Sequence, residues 1–214
     1  MGESVTLCIV GHGPSAACSA EFVDSHDIIV RCKGFWNWGP PEAGKKYDIL
    51  AGYSWQTVAD TVLPFDVPRP SREWWLTLPR EMCGYPHCGR WEDIFDLACG
   101  MPVRWVLHSQ WSRQANHIGR MGNADPTSPS TGFCAVDMAI RYFKAKRISI
   151  IGFDSTSEET YQFSDGSSPP PSGHCWAGEK EALAQMADHR VWLGLPLPGV
   201  ELNWVGRPGG GSGT

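Results

Sequence analysis

The sequence predicts a single α/β domain with a mostly parallel central sheet flanked by helices. Three observations predict it. Short apolar runs alternate with helical or polar segments along the chain, the first run ends in glycines that precede a helix, and 214 residues with 42% hydrophobic side chains suffice for one full core but not for two large ones.

The elements are taken in chain order. Residues 5–10 (VTLCIV) read as a strand, and residues 15–22 as a helix opened by Pro14. Residues 27–32 (DIIVRC) form a second strand and 47–50 a weaker third; 73–78 (EWWLTL) and 103–107 (VRWVL) are further strands, with a helix over 91–99 between them. Residues 131–143 carry Phe133, Val136, Ile140 and Phe143 at helical spacing, and the strand 147–153 (RISIIGF) comes directly after. Residues 155–173 are polar and Pro-rich, which reads as a loop over a site. A helix over 176–192 and a strand over 200–205 complete the domain, 1–206, and residues 207–214 read as a flexible Gly-rich tail.

A formal charge of −5 has the wrong sign for holding nucleic acid by bulk phosphate neutralisation. No apolar run approaches the roughly 18 to 20 residues that cross a bilayer, so the expectation is a cytoplasmic protein without a membrane partner. Met1, Gly2 and Thr6 fit an N-myristoylation pattern, but so short a motif recurs by chance. The eight cysteines read as reduced thiols, mostly buried. Cys83, His87 and Cys88 have metal-ligand residue types, but the fourth ligand and the usual spacing are missing, so no metal is expected. Eleven tryptophans are suited to core packing and, at a site, to stacking on sugars or bases.

Three motifs carry chemistry. Gly11, His12, Gly13, Pro14 and Ser15 lie between strand and helix, where glycines either turn the chain or let a phosphate approach backbone amides at a helix end. With Ala16 they also satisfy the relaxed dinucleotide fingerprint. Ser130, Thr131 and Gly132 open the best helix, as a plain cap or as a second anion or ribose site. His174, at the end of the Pro-rich loop, has the titration range of a general base, and Glu179 five residues on either raises its basicity or favours a helix N-terminus.

In this order the motifs resemble those of the sialyltransferase family of glycosyltransferases. Residues 8–33 resemble its large motif, 129–154 its small motif with Pro-Ser-Thr-Gly, and 174–179 (HCWAGE) its very small motif, His-x-x-x-x-Glu. The resemblance implies a single Rossmann-like glycosyltransferase domain, a GT-A-like variant without a metal-binding Asp-x-Asp triplet, and no such triplet occurs in the chain. It implies inverting transfer of a sugar from a CMP-linked donor, with no cofactor or metal, by a compact bacterial or phage type of enzyme. His174 and Glu179 are then catalytic, and Gly11, His12, Gly13, Pro14, Ser15, Arg31, Lys33, Ser130, Thr131 and Gly132 bind the donor nucleotide. His12 and Lys33 stand where the family has asparagine, and these basic groups would also suit a nucleoside diphosphate donor. The family's His-Tyr-Tyr type motif is not recognisable, and no disulfide is carried over. The acceptor stays open among a glycan, a small glycoside and a hydroxylated DNA base. Two other readings are a small NADP- or FAD-dependent oxidoreductase, with Arg31 and Lys33 on a 2′-phosphate, and a catalytically silent nucleotide-binding module.

Overall fold

The structure is a computed structural model and describes residues 5–13, 15–16, 20–32, 44, 46–54, 71–79, 82, 101–153 and 174–207. Seven strands form one all-parallel sheet: β1 (Thr6–Val10), β2 (Ile28–Cys32), β3 (Ile49–Gly52), β4 (Glu73–Leu76), β5 (Val103–Trp105), β6 (Arg147–Ile151) and β9 (Glu201–Trp204), in the order β5-β4-β3-β2-β1-β6-β9. A two-stranded antiparallel hairpin, β7 (Val191–Trp192) with β8 (Leu195–Pro196), lies outside it. The described helices are α1 (Ala20–Asp24), α2 (His108–Met121), α3 (Thr131–Met138), which runs on into a π-helical turn over Ala139–Phe143, and α4 (Trp176–His189).

The central strands are apolar runs because both faces of a parallel sheet are covered. Leu7, Cys8, Ile9, Val10, Ile29, Val30, Ile49, Ala51 and Ile150 are all buried. Charged groups enter this core with partners. Glu73 on β4 accepts from Trp75 Nε1 at 2.7 Å and from Arg104 Nε at 2.7 and 2.8 Å. Asp137 on α3 is fully buried and accepts from Trp192 Nε1 (2.7 Å), Gln114 Nε2 (3.1 Å) and Arg141 Nε (2.7 Å), which ties α2, α3 and the hairpin together.

Several sequence expectations are corrected. The first helix is not 15–22: a 3₁₀ turn stands at 15–16 and α1 begins at Ala20. β3 lies two residues later than expected, β4 and β5 stop two residues sooner, and α4 ends at Arg190 in a left-handed cap so that residues 191–196 form the hairpin. α2 has no counterpart in the sequence reading because its buried face includes Gln114, His117 and Gly119 beside Ala115 and Ile118. Arg207 belongs to the domain, pairing with Asp188 at 2.6 and 2.8 Å. The helix over 91–99, the loop 155–173 and Cys83, His87 and Cys88 lie outside the described residues. Cys8, Cys32, Cys134 and Cys175 are buried thiols outside any disulfide.

β1 and β6 are neighbours, yet the chain leaves β1 toward β2 on one side and β6 toward β9 on the other. This is a topological switch point, where a crevice opens beyond the C-terminal strand ends. The two backbones close on each other there. Gly11 N–H donates to Ile151 O and Gly13 N–H to Gly152 O, both at 2.8 Å, and a Cβ on Gly11 would overlap the Gly152 carbonyl. Gly152 has φ of +75°, and a Cβ there would lie 2.7 Å from the Gly11 carbonyl carbon and oxygen. Strain and overpacking therefore coincide, and Gly152→Ala is expected to destabilise the fold by about 2–4 kcal/mol in a denaturant titration. A surface control such as Gly199→Ala, where a Cβ meets nothing within 4 Å, should change stability little.

Candidate functional site

A cavity of about 270 Å3 opens at this switch point. Its walls come from the strand ends, with Gly11 and His12 after β1, Cys32 on β2, Tyr53 after β3 and Gly152 and Phe153 after β6, together with the start of α3 and one face of α4. Seven sequence-selected residues line it: Gly11, His12, Ser130, Thr131, Gly132, His174 and Glu179. Cys32, Tyr53, Ser128, Phe153, Trp176, Lys180 and Leu183 also line it, and sequence reasoning misses them as site residues. The α4 residues among them do carry a signal, since Trp176, Glu179, Lys180 and Leu183 repeat at helical spacing on one face.

The turn after β1 behaves differently from the sequence expectation. The amides of Gly11 and Gly13 bond to β6, and Ser15 Oγ accepts from Gly152 N–H at 2.8 Å. These groups brace the switch point and do not present themselves to a phosphate, which also weakens the dinucleotide reading. Gly13 and Ser15 are absent from the cavity wall, and Pro14 and Lys33 lie outside the described residues. Arg31 is a further correction: it is fully buried, donates from Nε to Lys46 O at 3.0 Å, and is not among the lining residues. Burial lowers its pKa to about 10, against the raising effect of the nearby Asp24 charge. His12 does face the cavity, with Nε2 3.4 Å from Cys32 O.

The start of α3 is the best-defined wall. Ser130 is the N-cap, its Oγ accepting from Phe133 N–H at 3.1 Å. The N–H groups of Thr131 and Gly132, in the first turn, have no intrahelical carbonyl to bond, so this helix end favours an anion. Gly132 is small because a Cβ would lie 2.7 and 2.8 Å from the Phe153 ring. Phe153 thus packs between the ends of β6 and α3 and gives the cavity an apolar side.

His174 and Glu179 each join α4's approach to the segment before α3. A carbonyl only accepts, so the 2.6 Å contact with Ser128 O places the proton on His174 Nδ1, and Nε2 of the neutral ring holds the lone pair. The Trp176 ring meets the imidazole edge-on, with centroids 5.1 Å apart. Glu179 does not serve as the partner that raises His174 basicity. It is buried, and both its oxygens are engaged by Ser130: the backbone N–H donates to Oε1 and the hydroxyl to Oε2, each at 2.6 Å. The Ser130 hydroxyl is correspondingly turned to the carboxylate in this state. Burial pushes the Glu179 pKa up to about 7, against the lowering effect of the two Ser130 hydrogen bonds. With Glu179 directed into Ser130, the side-chain nitrogen groups on the described wall are those of His12, His174 and Lys180, of which Lys180 carries the positive charge.

No protein-family model matches the sequence, and no curated protein matches it. Solved structures do. The chain superposes on the monofunctional alpha-2,3-sialyltransferase Cst-I from Campylobacter jejuni with a TM-score of 0.61 and 13% identity, covering 94% of this chain and 76% of that one. It superposes on a variant of the sialyltransferase CstII in complex with CMP with a TM-score of 0.54 and 12% identity, covering 94% and 88%. The protein therefore has the Rossmann-like glycosyltransferase fold of the sialyltransferases, as the motif order implied. Among the described residues no helix is long and apolar enough to cross a membrane.

A carboxyl whose pKa rises on folding binds its proton more tightly in the folded chain. Its stabilising effect is full below pH 4.5 and is lost as pH climbs through about 7. Glutamine can keep both Ser130 contacts without a charge. Between pH 4.5 and 8 the stability of Glu179→Gln relative to the unaltered protein is expected to improve by about 3 kcal/mol, read from chemical denaturation at each pH.

Proposed function

We propose that the protein is an inverting glycosyltransferase that moves a sugar from a CMP-linked donor to an acceptor hydroxyl, with His174 as general base. The observation that carries this reading is the shared cavity. His174, with Nδ1 held by Ser128 O, stands on the same wall system as the open helix end at Thr131 and Gly132, beyond the β1 and β6 strand ends of a sialyltransferase fold. The complex of CstII with CMP supports a cytidine nucleotide as the donor's leaving part.

On this reading the donor phosphate lies against the first-turn amides and the Thr131 hydroxyl. His174 Nε2 takes the acceptor proton while the acceptor oxygen bonds to the anomeric carbon on the face opposite the phosphate. The bond from that carbon to the phosphate oxygen breaks, its electron pair leaves with CMP, and the configuration inverts. The helix end, His12 and Lys180 offset the charge on the departing phosphate, a task that needs no bridging metal. Trp176, edge-on to His174, offers a ring on which an acceptor sugar stacks, which favours a glycan or small glycoside over a DNA base.

His174→Ala is expected to lower turnover by about a hundredfold to ten-thousandfold while CMP affinity changes little, in a transfer assay paired with calorimetry. Near-normal turnover at unchanged stability removes the base assignment. Thr131→Val should weaken CMP by about 1 kcal/mol, close to fivefold. A thermal-shift series with CMP, UDP and GDP tests the donor: larger stabilisation by a diphosphate than by CMP would redirect it.

A further inference from the structure

We propose that Glu179 and Ser130 make phosphate binding in the cavity proton-linked: when a nucleotide phosphate enters, Glu179 takes one proton from solvent and the Ser130 hydroxyl turns from the carboxylate to a phosphate oxygen. The inference rests on the nucleotide reading above and adds a mode of binding to it.

Hydrogen-bond counting leads there. Ser130 has one O–H and two lone pairs, and its oxygen already accepts from Phe133 N–H. While Glu179 is ionised, its Oε2 claims the hydroxyl proton over 2.6 Å. Once Glu179 is neutral, the same short contact can hold only one hydrogen. If the carboxyl supplies it, Oγ accepts from Glu179 and from Phe133 together, and the Ser130 hydrogen must point elsewhere. Ser130 is a wall residue, so the cavity is the open direction, beside the first-turn amides of Thr131 and Gly132. The backbone contact from Ser130 N–H to Oε1 survives in both states and keeps α4 on α3.

Electrostatics drives the change. A phosphate dianion in the same cavity opposes a second negative charge on Glu179, and burial has already left that carboxyl poised near neutrality. The titratable groups that line the same cavity are His12 after β1, Cys32 on β2, Tyr53 after β3, and His174 and Lys180 on its own segment, and Cys134 on α3 feels its charge. Burial raises the Cys134 thiol's pKa, and the Glu179 charge adds to that rise. Comparison with Glu179→Gln isolates the Glu179 share of any proton uptake.

The test titrates CMP into the protein by calorimetry at pH 7.5 in two buffers of different ionisation heat, where CMP itself is almost fully ionised. The unaltered protein should take up about half to one proton per CMP more than Glu179→Gln does. Its CMP affinity should fall toward tenfold per pH unit between pH 7 and 8.5, with a flatter profile in the variant. Cytidine, which lacks the phosphate, should show equal uptake in both proteins. Ser130→Ala, which keeps the backbone contact, should weaken CMP about fivefold at pH 6.5. Equal proton uptake by the unaltered protein and Glu179→Gln overturns the linkage, and unchanged CMP affinity in Ser130→Ala overturns the hydroxyl turn. If Glu179→Gln does not fold, a ratio of CMP to cytidine affinity that stays level from pH 7 to 8.5 in the unaltered protein overturns it instead. Absence of any CMP binding overturns the nucleotide reading itself and is distinguishable from binding without proton uptake.

Discussion

The backbones of Gly11 and Gly152 meet with no space for a side chain between them, and the rest of the site depends on that closure. It joins β1 to β6 beyond the last ladder pair, Val10 with Ile151, and so fixes where the sheet stops and the crevice begins. Phe153 is the next residue, and its ring occupies the space that a side chain at Gly132 would need. The position of the α3 N-terminus is thereby set by contact with the end of β6. Glycines that look in sequence like a phosphate cradle work first to close β1 onto β6, and the first-turn amides that favour an anion belong to α3.

The second support is polar. Two short segments remote in sequence, 128–130 and 174–179, are stitched by His174 to Ser128 and by Glu179 to Ser130. Each stitch uses a backbone group on the α3 side, so neither depends on a freely rotating side chain there. On the proposed reading, the general base and the helix end that receives the departing phosphate act on opposite faces of the anomeric carbon, and these two stitches hold them at a constant separation. Such a step would gain from that constancy, because holding reacting groups in a fixed near-attack geometry supplies part of the barrier reduction.

The fold is legible because parallel strands buried on both faces appear as mostly apolar runs, and residues 5–10, 27–32 and 147–153 are such runs despite Thr6, Arg31 and Ser149 within them. The α3 start is legible for a different reason: Ser130 before an apolar 3.6-residue pattern has one common structural meaning. α2 escapes because three of its buried positions, Gln114, His117 and Gly119, read as surface or breaker residues until their partners across the fold are known. Arg31 misleads for the same reason in reverse, since an arginine at a strand end resembles a ligand group until its guanidinium is found within the protein. The roles of Glu179 and Ser130 are half visible. Both stand out as site residues, but their pairing spans 49 positions and no local spacing reports it.

The π-helical turn Ala139–Phe143 has an evolutionary corollary. A π turn holds one residue more than the α-helix around it needs, so it sets the rotational phase between the helix on its N-terminal side and the chain on its C-terminal side. Before it lie the Ser130 cap and Asp137; within its span lie Tyr142, bonded to Trp105 O, and Phe143, packed on Trp75. Losing one residue there would restore regular winding but rotate one half of the helix by about 100° against the other. Either the crevice-facing end or the sheet-facing end would then be turned from its partners. Point substitutions can accumulate in this helix, but its length is locked, and descendants of this chain should vary around it by exchange and not by deletion.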